Sequence, residues 1–161
     1  DPCAGWGGRV LGTLSAGRKY YGCDTNPRIR DTLSVMMDEI GLDPELATIE
    51  CRSCLDLEQS VRLYDFAFTS PPYSNLEVYE EMSPFVDDDD YYNNFLIPMI
   101  DKCLELVKIG NKVGINVSEP IYNKLTDVYG FPKCEEKIDF LQQMGQQSGK
   151  KKDYVYLWTA L

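Results

Sequence analysis

The chain opens on Asp1-Pro-Cys-Ala-Gly-Trp-Gly-Gly8 and returns, nineteen residues after Gly5, to an acid at the end of Tyr20-Tyr-Gly-Cys-Asp24. Gly5 and Gly7 permit a sharp strand-to-helix turn and leave room for a ligand to approach the backbone without a β-carbon in the way. Val10, Leu11 and Leu14 then keep helical spacing as far as Gly17, and Tyr20–Cys23 reads as a short strand. Asn26-Pro27 starts a second helix, in which Ile29, Leu33, Met36, Met37 and Ile40 repeat with the helical period before Gly41 closes it. A glycine turn of this kind follows a buried strand in open α/β sheets, and no strand stands ahead of Asp1 in the sequence. The first strand is therefore expected to be missing or truncated, or its slot to be filled by another segment.

Working outward, Ala47–Cys51 reads as a third strand candidate, and Tyr64–Thr69 as a clearer one that runs into Ser70-Pro-Pro-Tyr73, where the prolines end the ladder. The polar stretch from Ser74 to Asp90, with its acidic run Asp87–Asp90, is expected to be a mobile, solvated surface loop. Tyr91–Val107 resumes a helical pattern, Lys112–Val117 is a strand, and Glu119–Tyr129 is a short helix interrupted at its start by Pro120. Cys134–Phe140 and Tyr154–Trp158 are two further strands, joined as a hairpin through Gln142–Lys152. Strands alternating with helices predict an α/β, three-layer sandwich with a mostly parallel sheet and a C-terminal antiparallel hairpin, a single domain over residues 1–161.

The composition narrows the chemistry. With 43% hydrophobic and 26% charged residues, the 161 residues suit one globular domain with a sizeable core. No apolar run is long enough for a membrane span and no secretory leader pattern opens the chain, so a soluble, cytoplasmic protein is the expectation. The absence of histidine excludes His-based acid/base catalysis and His-ligated metal sites. The net charge of −10 repels phosphate backbones on average, so any nucleic-acid contact needs a local patch or another segment. The compact basic run Lys150–Lys152 reads as a solvated turn, and the six cysteines, including the Cys51-x-x-Cys54 pair, as reduced core or strand-end thiols, with no metal site assigned.

Three constellations carry chemistry. Asp24, at the carboxyl end of a strand, can accept both hydroxyl hydrogens of a ribose; the competing reading makes it the cap of the helix after Asn26-Pro27. Asp56, after the third strand, can face an adenine amino group or be plain solvated loop. Phe66-Ala-Phe-Thr-Ser-Pro-Pro-Tyr73 is the most informative. Its prolines hold a rigid turn whose carbonyls have no ladder partner, Ser70 adds an acceptor, and Tyr73 offers a flat face for a ring, which are the requirements of an exocyclic-amine site.

In this order, Asp-Pro-Cys-Ala-Gly-Trp-Gly, Tyr-Gly-Cys-Asp-Thr-Asn-Pro and Thr-Ser-Pro-Pro-Tyr resemble the amino-group DNA methyltransferases, which use S-adenosylmethionine to methylate N4 of cytosine or N6 of adenine. The resemblance implies that Asp1, Cys3, Ala4, Gly5 and Gly7 form the turn around the methionine part of the cofactor, that Asp24 holds its ribose, and that Asp56 lies near its adenine. It makes Ser70, Pro71, Pro72 and Tyr73 the catalytic tetrapeptide, in a Ser-first form that favours cytosine N4. Cys3 stands where the family has an aromatic residue, and Trp6 where it has a small one. No separate target-recognition domain is visible, so DNA, single-stranded or brought by a partner chain, is the expected partner. A catalytically silent subunit that keeps the fold as a cofactor-binding or partner-binding module is the alternative.

Overall fold

In the computed structural model, which describes residues 1–58, 62–73, 85–139 and 153–161, periodicity and caps place the first elements. Helix α1 (Gly8–Ser15) buries Val10 and Leu14, one turn apart on a single face. Strand β1 (Tyr20–Asp24) follows, then α2 (Pro27–Glu39), whose proline sits in the first turn and whose cap is Asn26, its side chain accepting the Arg28 N–H at 2.9 Å. Ile29, Leu33 and Met37 form the buried stripe of α2 and meet Val10, Leu14 and Tyr20 in one cluster. The crossover returns the chain as β2 (Ala47–Cys51), parallel to β1 from Tyr20 opposite Ala47 to Asp24 opposite Cys51.

Strand β3 (Tyr64–Thr69) begins a second sheet. A helical segment made of α3 (Asp88–Tyr91), a wide π turn (Tyr92–Leu96) and α4 (Ile97–Leu106) leads to β4 (Val107–Ser118), parallel to β3. Helix α5 (Glu119–Asp127), β5 (Glu136–Asp139) and β6 (Asp153–Thr159) complete an order β3-β4-β6-β5, in which β6 runs antiparallel to both neighbours. Alternation along β1 shows the layering. Tyr20 packs into the cluster of α1 and α2, whereas Cys23, on the opposite face, joins Met99 and Cys103 of α4. The β1–β2 pair therefore has helices on both sides, as expected of a three-layer α/β sandwich, while the second sheet packs α4 and α5 on one face and leaves Phe66 and Ile138 exposed on the other among the described residues. Among the described residues the strands nevertheless form two sheets, β1-β2 and β3-β4-β6-β5, with no pairing between β1 and β3.

Some expectations are corrected. Asp87–Asp90 is solvated as expected but is not a loop: the Asp87 carboxylate caps α3 by accepting the Asp90 N–H at 2.9 Å, and three acids occupy the first turn, where the helix dipole favours them. Asp88 pairs with Lys124, and Asp89 accepts the Tyr129 hydroxyl hydrogen at 2.5 Å, which docks the run on α5 and the turn after it. Pro120 does not interrupt α5 but lies in its first turn, where no N–H is missed. Strand β4 starts five residues earlier than Lys112, and β5 starts two residues after Cys134, whose N–H is taken by the Tyr122 hydroxyl at 3.1 Å. Residues 74–84 of the expected loop, and Gln142–Lys152 with its basic run, lie outside the described residues.

Glu135 ties β4 to β6. It takes Lys112 at 2.6 Å and the Thr159 N–H at 3.2 Å, and the Lys112 bond first, with Thr159 second, holds its carboxyl down at about 2 against an ordinary 4.5. A depressed acid stabilises the fold above its unfolded-state value, and that contribution is lost as pH falls through the folded one. In thermal melts from about pH 6 to about pH 2, Glu135→Gln is expected to narrow the gap to the parent protein as the medium acidifies; parallel melting curves at all pH values would contradict this.

Candidate active site

The first residues lie along β1 before they turn. The Asp1 nitrogen donates to the Tyr21 carbonyl at 2.8 Å, the Cys23 N–H donates to the Asp1 carbonyl at 3.1 Å, and the Ala4 N–H donates to the Cys23 carbonyl at 2.9 Å. The chain then bends at Gly5, whose N–H donates to Oδ2 of Asp24 at 3.0 Å; Oδ1 of the same carboxylate accepts the Asn26 N–H at 3.0 Å. One carboxylate thus joins the glycine turn to the tip of β1 and the start of α2. The cap of α2 is Asn26, which removes the capping explanation for Asp24. Each oxygen of Asp24 has spent one of its two acceptor positions and keeps the other.

Asp1 is used differently. Its side chain is 4% exposed and accepts Arg9 Nε at 2.6 Å, the Tyr20 hydroxyl at 2.9 Å and the Cys3 N–H at 3.3 Å, while Arg9 also donates to the Cys3 carbonyl. Burial pushes the Tyr20 phenol up, so it remains a donor. Asp1 is in the turn as expected, but its carboxylate faces inward and fixes the turn's shape. Sequence reading missed Arg9 and Tyr20; the available signal was an arginine in the first turn of the helix that follows an acid-led glycine turn. Cys3 reaches the loop after β2: its thiol is pushed well up, chiefly by a hydrogen bond to Cys54 and then by desolvation. Cys54 opens a short 3-10 turn (Cys54–Asp56) that leaves Asp56 exposed at the carboxyl end of β2. Turn, β1 tip and β2 tip are therefore together.

The tetrapeptide follows β3, and neither its four residues nor Gly5, Asp24 and Asp56 line the cleft between β1 and β3. Strand β3 buries Ala67 and Thr69, and Ser70, Pro71, Pro72 and Tyr73 follow at its carboxyl end, with Pro71 buried and the other three half-buried. Tyr64, first in β3, meets Tyr21 near the start of β1 with ring centroids 5.5 Å apart, so the two strands begin side by side. Between them runs a cleft of about 1250 Å³, bounded by Asp1, Gly8 and Cys23 on one side and Tyr64, Ala67 and Phe68 on the other. All six cysteines are free; burial raises Cys23 and Cys103 to about 12, which makes them inert thiols, and Cys51 is exposed at the end of β2. Among the described residues, no cluster of three or more metal-ligating side chains occurs and no helix is long and apolar enough to cross a membrane.

No protein-family model and no curated protein sequence matches the chain. Solved structures do. An rRNA methylase from Streptococcus thermophilus aligns at 15% identity with a TM-score of 0.61, over all of this chain and 85% of its own. SMU.1697c from Streptococcus mutans, described as a methyltransferase and solved in complex with SAH, aligns at 14% identity and 0.59 over all of this chain and 86% of its own. A protein from Listeria monocytogenes (lmo1582), described as a class I S-adenosylmethionine-dependent methyltransferase, reaches 0.66 at 12% identity, over 99% of this chain and 52% of its own. The fold is that of the Rossmann-like methyltransferases.

Within this methyltransferase fold the two glycines of the turn do different work. Gly7 caps α1 at φ 101°, and a β-carbon there would lie 2.6 Å from Leu33 Cδ2 and 3.1 Å from Met36 Cε, so its bareness lets α2 pack closely rather than making room for a ligand. Gly5, at φ 57°, has nothing nearer its β-carbon position than Arg9 Nη2 at 3.7 Å, which leaves open the approach that the sequence suggested for both. Trp6 stands between them, 67% exposed. In urea unfolding, Gly7→Ala is expected to cost ~2 kcal/mol or more from combined strain and overpacking. Gly5→Ala is expected to cost only ~1 kcal/mol for a left-handed alanine. Equal costs would contradict the division.

Proposed function

We propose that this chain transfers a methyl group from S-adenosylmethionine to an exocyclic base amine in DNA, with cytosine N4 favoured over adenine N6. One observation supports the reading: the Asp24 carboxylate is bonded to the Gly5 N–H at the carboxyl end of β1, and Ser-Pro-Pro-Tyr follows the carboxyl end of β3. The residues fit the cofactor. Asp24 keeps acceptor positions for ribose hydroxyls, and Gly5 leaves its surroundings open for the methionine part, with Cys3, Ala4 and Gly7 shaping the turn and Asp1 holding it. Asp56 is exposed at the next tip, where an adenine amino group would meet it.

S-adenosylmethionine supplies an electrophilic methyl carbon on its sulfonium. The task of the chain is to place a weakly nucleophilic amine in line with that carbon, which is mainly a matter of positioning. The Ser70 hydroxyl and a proline carbonyl accept the two amine hydrogens, draw the nitrogen toward a tetrahedral form and stabilise the positive charge that grows on it. The Tyr73 ring stacks on the base. A base within a duplex must be flipped out at a cost of a few kcal/mol, so single strands are the easier substrate. With a net charge of −10, contact with the phosphate backbone falls to a local patch or a partner chain, and sequence-specific base reading to a partner chain.

The test is incubation with isotopically labelled cofactor and DNA or RNA, followed by nucleoside mass spectrometry. Label is expected in N4-methylcytosine or N6-methyladenine from DNA. Ser70→Ala and Tyr73→Ala are expected to reduce transfer by ~100-fold or more while cofactor affinity stays within a fewfold. Asp24→Ala is expected to weaken cofactor binding by ~10–100-fold. Label in RNA alone, or cofactor binding with no transfer to any nucleic acid, would overturn the proposal; the second result is what a catalytically silent module would give.

A further inference from the structure

We infer that Asn116, near the carboxyl end of β4, is a further positioning residue of the proposed site: its side-chain oxygen takes the Ser70 hydroxyl hydrogen when Ser70 accepts a hydrogen from the substrate amine. The inference rests on the methyl-transfer reading and adds a group that lies outside the Ser-Pro-Pro-Tyr motif. Among the described residues, the buried polar ones are Thr69 and Asn116. Both stand against Ser70. Thr69 precedes it in the chain. β3 pairs with β4 in parallel, with Thr69 opposite Ile115, so one further step of the register sets Ser70 beside Asn116 at the ~4.8 Å spacing of neighbouring strands.

The two polar residues face opposite ways. Ala67 and Ile115 lie in the cluster built on α4, and by alternation Thr69 shares their side. Gly114 marks the other side: a β-carbon there would lie 3.0 Å from Leu157 Cδ2 and 3.3 Å from Phe66 Cζ and Phe68 Cδ2. Asn116, two residues after Gly114, shares that side, and so does Ser70, two residues after Phe68. Hydrogen bonding settles how the carboxamide is turned. Its Nδ2 donates to the Tyr154 carbonyl of β6 at 3.0 Å. A carbonyl can only accept, so the NH2 end must face β6, and the oxygen on the other arm is turned toward the β3 side of β4. Asn116 is 7% exposed, and its Oδ1 has no partner among the described residues, an expensive place for an idle acceptor.

The chemistry of Ser70 supplies the use. A hydroxyl that accepts from an amine still has its own hydrogen to place, and once a base covers it that hydrogen needs an acceptor within the protein. Asn116 Oδ1 is the open acceptor on the neighbouring strand. Giving the hydrogen to it fixes the Ser70 rotamer, leaves the lone pairs toward the amine, and polarises the oxygen so that it accepts more strongly as positive charge grows on the nitrogen.

The test combines carbon NMR of the asparagine side chains with a double-mutant cycle. On the chain saturated with S-adenosylhomocysteine, a single-stranded oligonucleotide containing cytosine is expected to move the Asn116 Cγ signal downfield, as a carbonyl gaining a donor does. The move is expected in the parent and in Thr69→Val, and is lost in Ser70→Ala. In transfer assays, Asn116→Ala and the near-isosteric Asn116→Leu are expected to lower kcat about tenfold with KM and cofactor affinity within about twofold. In the Ser70→Ala background the same changes are expected to alter kcat by less than about twofold. An Asn116 signal that moves equally in Ser70→Ala, or that stays still while the Ser70 and Tyr73 amides shift, would overturn the inference and leave the methyl-transfer reading standing. Equal losses from Asn116→Ala in both backgrounds would do the same. The NMR arm keeps Asn116 in place and so holds even if its variants fail to fold. An oligonucleotide that shifts none of Ser70, Tyr73 and Asn116 would overturn both the inference and the reading beneath it.

Discussion

The carboxylate of Asp24 is the point on which the rest of the site hangs. It accepts one N–H from the glycine turn and one from the residue that caps α2, so a single charged group at the end of β1 fixes the backbone on both sides of it. Hydrogen bonds to an ionised acceptor are stronger than neutral ones and more demanding in geometry, which suits a turn that must hold its shape with little side-chain packing of its own. Asp1 repeats the device at the start of the turn, with Arg9 and Tyr20 as donors. Two acids separated by most of a βαβ unit thus shape one loop, and the acid nearer the strand tip keeps acceptors to spare.

Much of this was legible in the sequence, for physical reasons that can be named. Ile29, Leu33 and Met37 at four-residue spacing behind Asn26-Pro27 specify an amphipathic helix with its start marked, and the structure has that helix with that cap. Asp24 stands out as an acid at the end of a short strand, where it could serve a ribose or a helix cap, and the structure gives the cap to Asn26. Gly7 was legible as a requirement but not as a reason: only the packing of Leu33 and Met36 against it shows that the space belongs to α2. Asp87–Asp90 was read rightly as solvated but wrongly as a loop, because its partners Lys124 and Tyr129 lie some forty residues on. Cys3 meeting Cys54 is another long-range fact that no local pattern contains.

The division of the sheet matters as much as any side chain. The glycine turn and Asp56 are tied to β1 and β2, and Ser70–Tyr73 to β3, so the two halves of the candidate site belong to different sheets among the described residues. Their spacing is carried on one face by the packing of Cys3 and Cys23 with Met99 and Cys103 of α4. On the proposed function, that buried seam is what would hold Asp24 and Ser70 at a fixed spacing.

The account turns on whether the glycine turn and the tetrapeptide bound one ligand. The direct measurement is a backbone amide NMR titration of the chain with S-adenosylhomocysteine. Saturable shifts are predicted at Gly5, Trp6 and Asp24, with smaller ones at Asp56 and Ser70, and none at Phe66 and Ile138, which are exposed on the second sheet. Shifts confined to those last two residues, or no saturable shift at Gly5 and Asp24, would contradict it.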